Sequence, residues 1–244
     1  MLDRNRGGAY LAVLIAGAGM FGIFLVLIYY LQQSLHYSPV VSGVAFLPMI
    51  AMVVVAANLS NVVLLPRLGP KPLVPAGMLL AAGSLVWLTR IGVHSGYATA
   101  VLGPLLLAGL GLGFTIAPSM NTGTFGVAPQ DAGVASATLN TGQQIGGSIG
   151  TALLNTIFAG AVAHYLTSRL SPATLMHGHP APSLIGMSLI HGYTTGFWVA
   201  AAIFGAGAVI CGTLFRSGPL RASESAATAA PAGAVAQQAT AHAA

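Results

Sequence analysis

Six long apolar segments alternate with short segments rich in proline, glycine and polar residues along the 244-residue chain. A helix that crosses a membrane needs about 17 to 25 mainly apolar residues, and each of the six segments reaches that length. We predict membrane-spanning helices at residues 10–31, 41–65, 73–89, 97–119, 133–163 and 191–215. The pattern therefore predicts an all-α membrane protein in which residues 10–215 form one six-helix transmembrane domain.

The segments outside this domain are short and polar. Residues 1–9 are predicted to be a cytoplasmic amino-terminal segment. Residues 216–244 are rich in alanine and serine, a composition that cannot form a core, so we predict a disordered cytoplasmic tail. The longest predicted loop covers residues 167–189 and contains three prolines.

The composition agrees with this membrane assignment. Hydrophobic residues make up 55% of the chain and charged residues only 5%, which excludes a soluble α/β domain. The eight lysines and arginines are dispersed among the apolar segments, so they form no basic patch for nucleic acid. The single cysteine, Cys211, cannot form an internal disulfide.

Basic residues are concentrated on one side of the predicted membrane. The side that holds both termini carries six of the eight lysines and arginines, and the opposite side carries two. Positively charged loops remain in the cytoplasm during insertion, so both termini are predicted to be cytoplasmic in a multi-pass protein of the plasma membrane. The six are Arg4, Arg6, Arg67, Lys71, Arg216 and Arg221, and the two are Arg90 and Arg169.

The fifth span contains few large apolar side chains. The stretch that covers its start and middle, at residues 131–155, reads DAGVASATLNTGQQIGGSIGTALLN. At helical spacing, Gly142, Gly146 and Gly150 form one stripe. Small residues at every fourth position allow another helix backbone to approach closely. The large apolar side chains form a narrow band that is predicted to face lipid, namely Ile145, Ile149, Leu153 and Ile157.

Three side-chain amides, Asn140, Gln143 and Gln144, lie in the same span. An amide at membrane depth needs a hydrogen-bonding partner or a water-filled cavity. We therefore expect most of the circumference of this helix to face protein or water.

Histidines near the longest loop raise the question of a metal site. His177 and His179 lie in the loop, and His164 and His191 flank it. A spacing of two residues without a nearby carboxylate or thiolate is typical of solvated loop histidines. We predict no metal and no cofactor.

The loop between the second and third spans carries a recognisable motif, which reads PRLGPK over residues 66–71. It resembles the loop signature of the major facilitator superfamily, an Asp-Arg-x-Gly-Arg-Lys run between the second and third helices of a six-helix half. Arg67, Gly69 and Lys71 match the signature, and prolines replace its acid and its second arginine. This degenerate form is similar to that of a carboxyl-terminal half.

Three further stretches extend the resemblance over residues 3–215. They are DRNRGGAY at residues 3–10, YLQQSLHYSPVVSGVAFLP at 30–48, and the approach to the fifth span together with that span, at 109–150. In order and spacing they resemble the carboxyl-terminal six helices of the fourteen-helix drug:proton antiporters of the EmrB/QacA type.

The resemblance implies half of a proton-coupled efflux transporter for small hydrophobic or cationic drugs. Such a half consists of two inverted three-helix repeats, and the substrate lies between two halves. The fifth helix would contact the amino-terminal half through its glycine stripe and act in gating together with Arg67, Gly69 and Lys71. The implied substrate pathway consists of Phe21, Phe24, Tyr29, Phe114, Asn140, Gln143 and Gln144.

Two features of the sequence leave alternatives open. The only acids are Asp3, Asp131 and Glu224, and none lies inside a predicted span. The acid for proton coupling is therefore expected on an amino-terminal half, and the chain is expected to be incomplete without it. The alternative is a non-transporting membrane scaffold or an inactive remnant. An intramembrane serine protease is disfavoured because no Gly-x-Ser-Gly run occurs, and we predict no enzyme.

Overall fold

The computed structural model describes residues 4–92, 95–170 and 181–215. Six helices in this part of the chain are long and apolar enough to cross a membrane, and the same residues contain no β-strand. The predicted all-α fold with six spans is therefore confirmed. The helices are α1 (Arg4–Ser34), α2 (Pro39–Leu68), α3 (Pro70–Leu88), α4 (Tyr97–Thr124), α5 (Pro129–Arg169) and α6 (Pro182–Leu214).

The predicted loop at residues 167–189 was too long. Helix α5 continues to Arg169, and α6 begins at Pro182. Proline is favourable in the first turn of a helix because it has no N–H to leave unpaired, and the residues that follow Pro182 are mainly apolar. The two loop histidines, His177 and His179, and the predicted tail at 216–244 lie outside the described residues.

Proline and glycine set the shape of α2 and its connection to α3. The α-helical hydrogen bonding is interrupted at Phe46, next to Pro48, whose nitrogen cannot donate to the preceding turn. Gly69 joins α2 to α3 with φ 75° and ψ 177°, a conformation that is accessible essentially only to glycine. The matched glycine of the loop motif therefore allows the chain to turn sharply between the two helices.

Helix α1 lies at the centre of the bundle, and α2 and α5 lie at its periphery. In the most apolar stretch of each helix, 61% of the residues are buried in α1, but only 28% in α2 and 22% in α5. Helix α1 packs against α4, α5 and α6, and α3 packs against α4 and α6. By this measure α2 and α5 are the helices that the rest of the described chain covers least.

Four of the helix pairs follow the symmetry of two three-helix repeats. If α1, α2 and α3 are matched in order to α4, α5 and α6, the α1–α5 pair corresponds to the α4–α2 pair. The α3–α4 pair likewise corresponds to the α6–α1 pair. All four pairs are closely packed. Because each repeat has three spans, the second repeat crosses the membrane in the opposite direction. These contacts agree with the inverted-repeat architecture that the family resemblance implied.

Glycines make these close contacts possible in both repeats. A Cβ at Gly113 of α4 would lie 2.7 Å from the Val53 carbonyl oxygen of α2. In the equivalent α1–α5 pair, a Cβ at Gly17 would overlap the Gln143 carbonyl oxygen. In both pairs a helix backbone touches a helix backbone, which is the usual contact between membrane helices with small residues.

Candidate functional site in a cleft between α1 and α5

Helix α5 is attached to α1 through two of its glycines. A Cβ at Gly146 would overlap the Leu14 carbonyl oxygen, and a Cβ at Gly150 would overlap that of Ala18. Both glycines are buried. The glycine face of α5 therefore lies against α1, and the opposite face of α5 is left exposed.

This contact corrects the partner that the family resemblance implied for the glycine stripe. The stripe was expected to touch a helix of another half, but Gly146 and Gly150 touch α1 of the same chain. A Cβ at Gly142 would meet no atom within 4 Å. The physical reason is complementarity, since α1 also carries small residues at the contact, including Gly17 and Ala18.

A cleft of about 660 Å³ opens beside the α1–α5 contact. One wall is Phe21 of α1, a residue that is 44% exposed. The phenyl ring lies over Gly147, where a Cβ would be only 2.6 Å from the ring carbon Cδ2. The other lining residues are Gln144, Ser148, Thr151 and Ala152.

The cleft combines apolar surface with polar groups and contains no ionisable side chain among its lining residues. The Ser148 hydroxyl donates a hydrogen bond of 3.0 Å to the Gln144 carbonyl oxygen of the main chain. The side-chain amide of Gln144 is exposed on the same surface. The cleft thus presents an aromatic ring, an amide and hydroxyls.

The polar character continues along the exposed face of α5. The exposed amide of Asn140 donates to the Ser136 carbonyl oxygen at 3.0 Å, and the exposed hydroxyl of Thr156 donates to that of Ala152 at 2.8 Å. These bonds satisfy the Thr156 hydroxyl hydrogen and one of the two amide hydrogens of Asn140, and they leave both side chains on the surface. The predicted apolar band is exposed beside them, with Ile145 at 49% and Ile149 at 57%.

The cleft brings together two of the residues that the family resemblance placed in a substrate pathway, Phe21 and Gln144. Phe24 instead packs against Phe46, with ring centroids 4.5 Å apart. Tyr29 packs against Phe158 at 5.7 Å.

The other three residues of the predicted pathway lie outside the lining of the cleft. Phe114 is half-buried where α4 meets Gly77 of α3. Gln143 is half-buried, with its main chain against α1. Asn140 lies on the exposed face of α5, one turn before the cleft.

The sequence contained a signal for the lining residues that the pathway prediction omitted. Starting from Gln144, the omitted residues Gly147, Ser148 and Thr151 follow at the third, fourth and seventh positions. Such a spacing places all four on one helix face. A stripe of small and hydroxyl-bearing residues beside an amide is therefore the pattern that identifies this wall.

Two sets of hydrogen bonds hold the ends of the bundle. On the side where α1 begins, the Arg6 guanidinium donates to the Phe125 carbonyl oxygen at 3.1 Å and joins α1 to the end of α4. On the opposite side, the Tyr30 hydroxyl donates to the Ser95 carbonyl oxygen at 2.9 Å, and the Tyr97 hydroxyl donates to that of Ala45 at 2.6 Å. The cleft lies between these two hydrogen-bonded ends of the bundle.

Arg67 and Lys71 of the loop motif lie beside Gly69, on the side where α1 begins. Arg67 is exposed in the last turn of α2, and Lys71 is half-buried in the first turn of α3. The described residues contain no group of three side chains that could hold a metal ion. Of the histidines near the predicted loop, His191 of α6 stacks on Tyr165 of α5 with ring centroids 5.0 Å apart.

Comparison with known proteins gives consistent matches. A family model described as Major Facilitator Superfamily matches residues 3–151. The puromycin resistance protein pur8 of Streptomyces alboniger is 41% identical over 217 residues, which are 88% of this chain and 41% of that relative.

Two antibiotic exporters are also similar. The cephamycin export protein CmcT of Amycolatopsis lactamdurans is 33% identical over 75% of this chain and 36% of its own length. The tetracenomycin C resistance and export protein of Streptomyces glaucescens is 35% identical over 69% of this chain and 31% of its own. The chain therefore spans less than half the length of each of these relatives.

Proposed function

Because the chain belongs to the major facilitator superfamily, we propose that it forms one six-helix half of a secondary transporter. The transporter exports small hydrophobic or cationic compounds across the plasma membrane and belongs to the fourteen-helix drug:proton branch. The names of the similar proteins, which refer to resistance and export of antibiotics, support this class of substrate.

The exposed face of α5 is the observation that carries the proposal. It presents an amide, hydroxyls and an open cleft on a helix long enough to cross a membrane. Hydrocarbon offers no hydrogen bonds, so unpaired polar groups there cost several kcal/mol each. The face is therefore expected to border a water-filled pathway or a second half. The exposed surface of α2, the symmetry-related helix, is available for the same partner.

Proton coupling requires a titratable group at membrane depth. In the described helices the one acid is Asp131, which lies at the start of α5. We propose that the coupling acid belongs to the amino-terminal half, with which this chain shares the pathway. The alternative function, a non-transporting scaffold or an inactive remnant, predicts the same fold without gradient-driven export.

A catalytic role is not proposed. The members of this family are generally transporters, and two serines of the spans, Ser84 and Ser148, hydrogen-bond to their own helices. The Ser84 hydroxyl donates to the Ala81 carbonyl oxygen at 2.7 Å, and the Ser148 hydroxyl is bonded as described above. Neither is placed to act as a nucleophile.

Efflux from membrane vesicles tests the proposed function. Inverted vesicles that contain this chain alone are expected to show no proton-gradient-driven transport of a fluorescent drug. A second set of vesicles also contains, as an amino-terminal half, the part of the puromycin resistance protein that does not align with this chain. These vesicles are expected to accumulate the drug until an uncoupler collapses the gradient. Transport by the chain alone would contradict the half-transporter proposal, and inactivity of every combination with an amino-terminal half would favour the scaffold.

The orientation is tested by labelling single cysteines in a Cys211→Ala background. We propose that both termini are cytoplasmic, because Arg6, Arg67 and Lys71 lie on the side where α1 begins. A thiol at Gly96→Cys, in the loop before α4, is expected to react with an impermeant maleimide added to intact cells. A thiol at the exposed Leu68→Cys is expected to react only after the cells are opened. The reverse pattern would invert the topology.

A further inference from the structure

We propose that the cleft between α1 and α5 binds an uncharged, planar aromatic molecule that carries carbonyl or hydroxyl groups. The inference rests on the proposed function and narrows its substrate class. It assigns recognition in this half to hydrogen bonds and ring contacts, without an ion pair.

The size of the cleft and its aromatic wall suit a small aromatic ligand. Its volume of about 660 Å³ lies within the range of about 300 to 1,000 Å³ that is usual for sites of small ligands. The half-exposed ring of Phe21 offers a face or an edge for aromatic contact. Gly147 positions this ring, because the phenyl group occupies the space that a side chain at 147 would need.

The hydrogen-bonding groups of the cleft are complementary to carbonyls and hydroxyls. The hydrogen of the Ser148 hydroxyl is already donated to the main chain at 3.0 Å, so its oxygen can only accept from a ligand. The exposed Gln144 amide can both donate and accept. A ligand hydroxyl can therefore donate to Ser148, and a ligand carbonyl can accept from Gln144.

The two helices that form the cleft carry no charge near it. Phe21 lies fifteen residues beyond Arg6, which is about 22 Å along a helix. Gln144 lies thirteen residues beyond Asp131, about 20 Å along a helix. A permanent cation would lose hydration on entering and would gain no ion pair from this wall, only the weaker attraction of the Phe21 face and of neutral oxygens such as that of Gln144. The wall therefore favours neutral molecules over cations.

Binding to the full 244-residue chain in phosphatidylcholine nanodiscs tests the inference. The neutral probe is 1,4-dihydroxyanthraquinone and the cationic probe is ethidium, with binding to empty nanodiscs subtracted. We expect saturable binding of the quinone and at least about tenfold weaker binding of ethidium. Gln144→Leu and Thr151→Val should each weaken quinone binding by about three- to tenfold, the usual effect of one lost hydrogen bond.

Thr156→Val is the matched control for Thr151→Val. It makes the same change on α5 outside the cleft, where the hydroxyl is bonded to Ala152, and it should leave quinone binding unchanged. Gln144→Glu adds a carboxylate of the same shape and should raise the affinity for ethidium while lowering that for the quinone. The helical circular dichroism of each variant is first matched to that of Thr156→Val, so that weaker binding does not reflect unfolding.

Three outcomes would overturn the inference. They are no saturable quinone binding by the wild-type chain, ethidium binding as tight as quinone binding, or unchanged quinone binding by both Gln144→Leu and Thr151→Val. None of these outcomes depends on transport. The vesicle efflux assay judges the proposed function separately, and loss of efflux with intact quinone binding would leave the cleft assignment standing.

Discussion

Gly146→Ala is expected to destabilise the protein by about 1 to 3 kcal/mol, the usual cost of overpacking a well-packed contact. The added methyl group would overlap the Leu14 carbonyl oxygen of α1. A carbonyl in the middle of a helix cannot rotate away without breaking its own hydrogen bond, so α5 would have to move away from α1. The larger Gly146→Leu should prevent α5 from docking and abolish export in the complete transporter.

The buried thiol of Cys211 reports this loss of stability. Its side chain is fully buried in α6, so a thiol-reactive dye labels it only when the bundle opens. Thermal unfolding in detergent, followed by dye fluorescence, should show a lower midpoint for Gly146→Ala than for the unchanged chain.

The matched control is Gly142→Ala, one turn earlier, where a Cβ would meet nothing within 4 Å. That variant should be neutral or stabilised by up to about 1 kcal/mol, since alanine favours a helix over glycine. Equal midpoints for the two variants would contradict the α1–α5 contact.

Gly111→Ala is expected to destabilise the α3–α4 contact by a similar amount, about 1 to 3 kcal/mol. A Cβ at Gly111 would lie 2.5 Å from the Ala81 nitrogen and 2.6 Å from the Gly77 carbonyl oxygen of α3. Both neighbours are main-chain atoms, so relief requires the two helices to separate. The same dye assay measures the effect.

Gly83→Ala provides the control on α3, because a Cβ there would meet no atom within 4 Å. It should unfold at or above the temperature of the unchanged chain. The combined variant Gly111→Ala/Gly146→Ala should lose the sum of the two single effects, since the contacts involve different helix pairs. A destabilised Gly83→Ala with an unaffected Gly111→Ala would mean that the buried and exposed faces of α3 are assigned the wrong way round.

The six spans were predictable because membrane helices are long, apolar and separated by breakers. The start of α6 was not, because Pro182 and the prolines before it suggested a loop, although proline is compatible with a first helical turn. The glycine stripe of α5 indicated a close helix contact, but the contact partner depends on tertiary structure. Spacing within one helix does not identify which neighbour carries the complementary small residues Gly17 and Ala18.

The candidate site was predictable only in part, because its lining also depends on contacts that form in the folded chain. Gln144 was predictable as a site residue because an amide at membrane depth needs a polar neighbour. The structure places it in the cleft. The aromatic rings of α1 were harder to assign. Phe21, Phe24 and Tyr29 have similar sequence surroundings, and only the folded chain supplies Phe46 and Phe158 as packing partners for two of them. The third ring, Phe21, is left to line the cleft.

Thiol accessibility of α5, in membranes that contain the complete transporter, tests the central claim that the cleft on its exposed polar face borders a water-filled pathway and not lipid. In a Cys211→Ala background, Ser148→Cys in the cleft is compared with Val209→Cys on α6, where the valine is 68% exposed on an apolar surface. Intact membrane vesicles are treated with a small, charged methanethiosulfonate, which reacts only with thiols in contact with water. We expect modification of Ser148→Cys and no modification of Val209→Cys. An unreactive Ser148→Cys that is labelled only by a lipid-soluble maleimide, as Val209→Cys is, would contradict it.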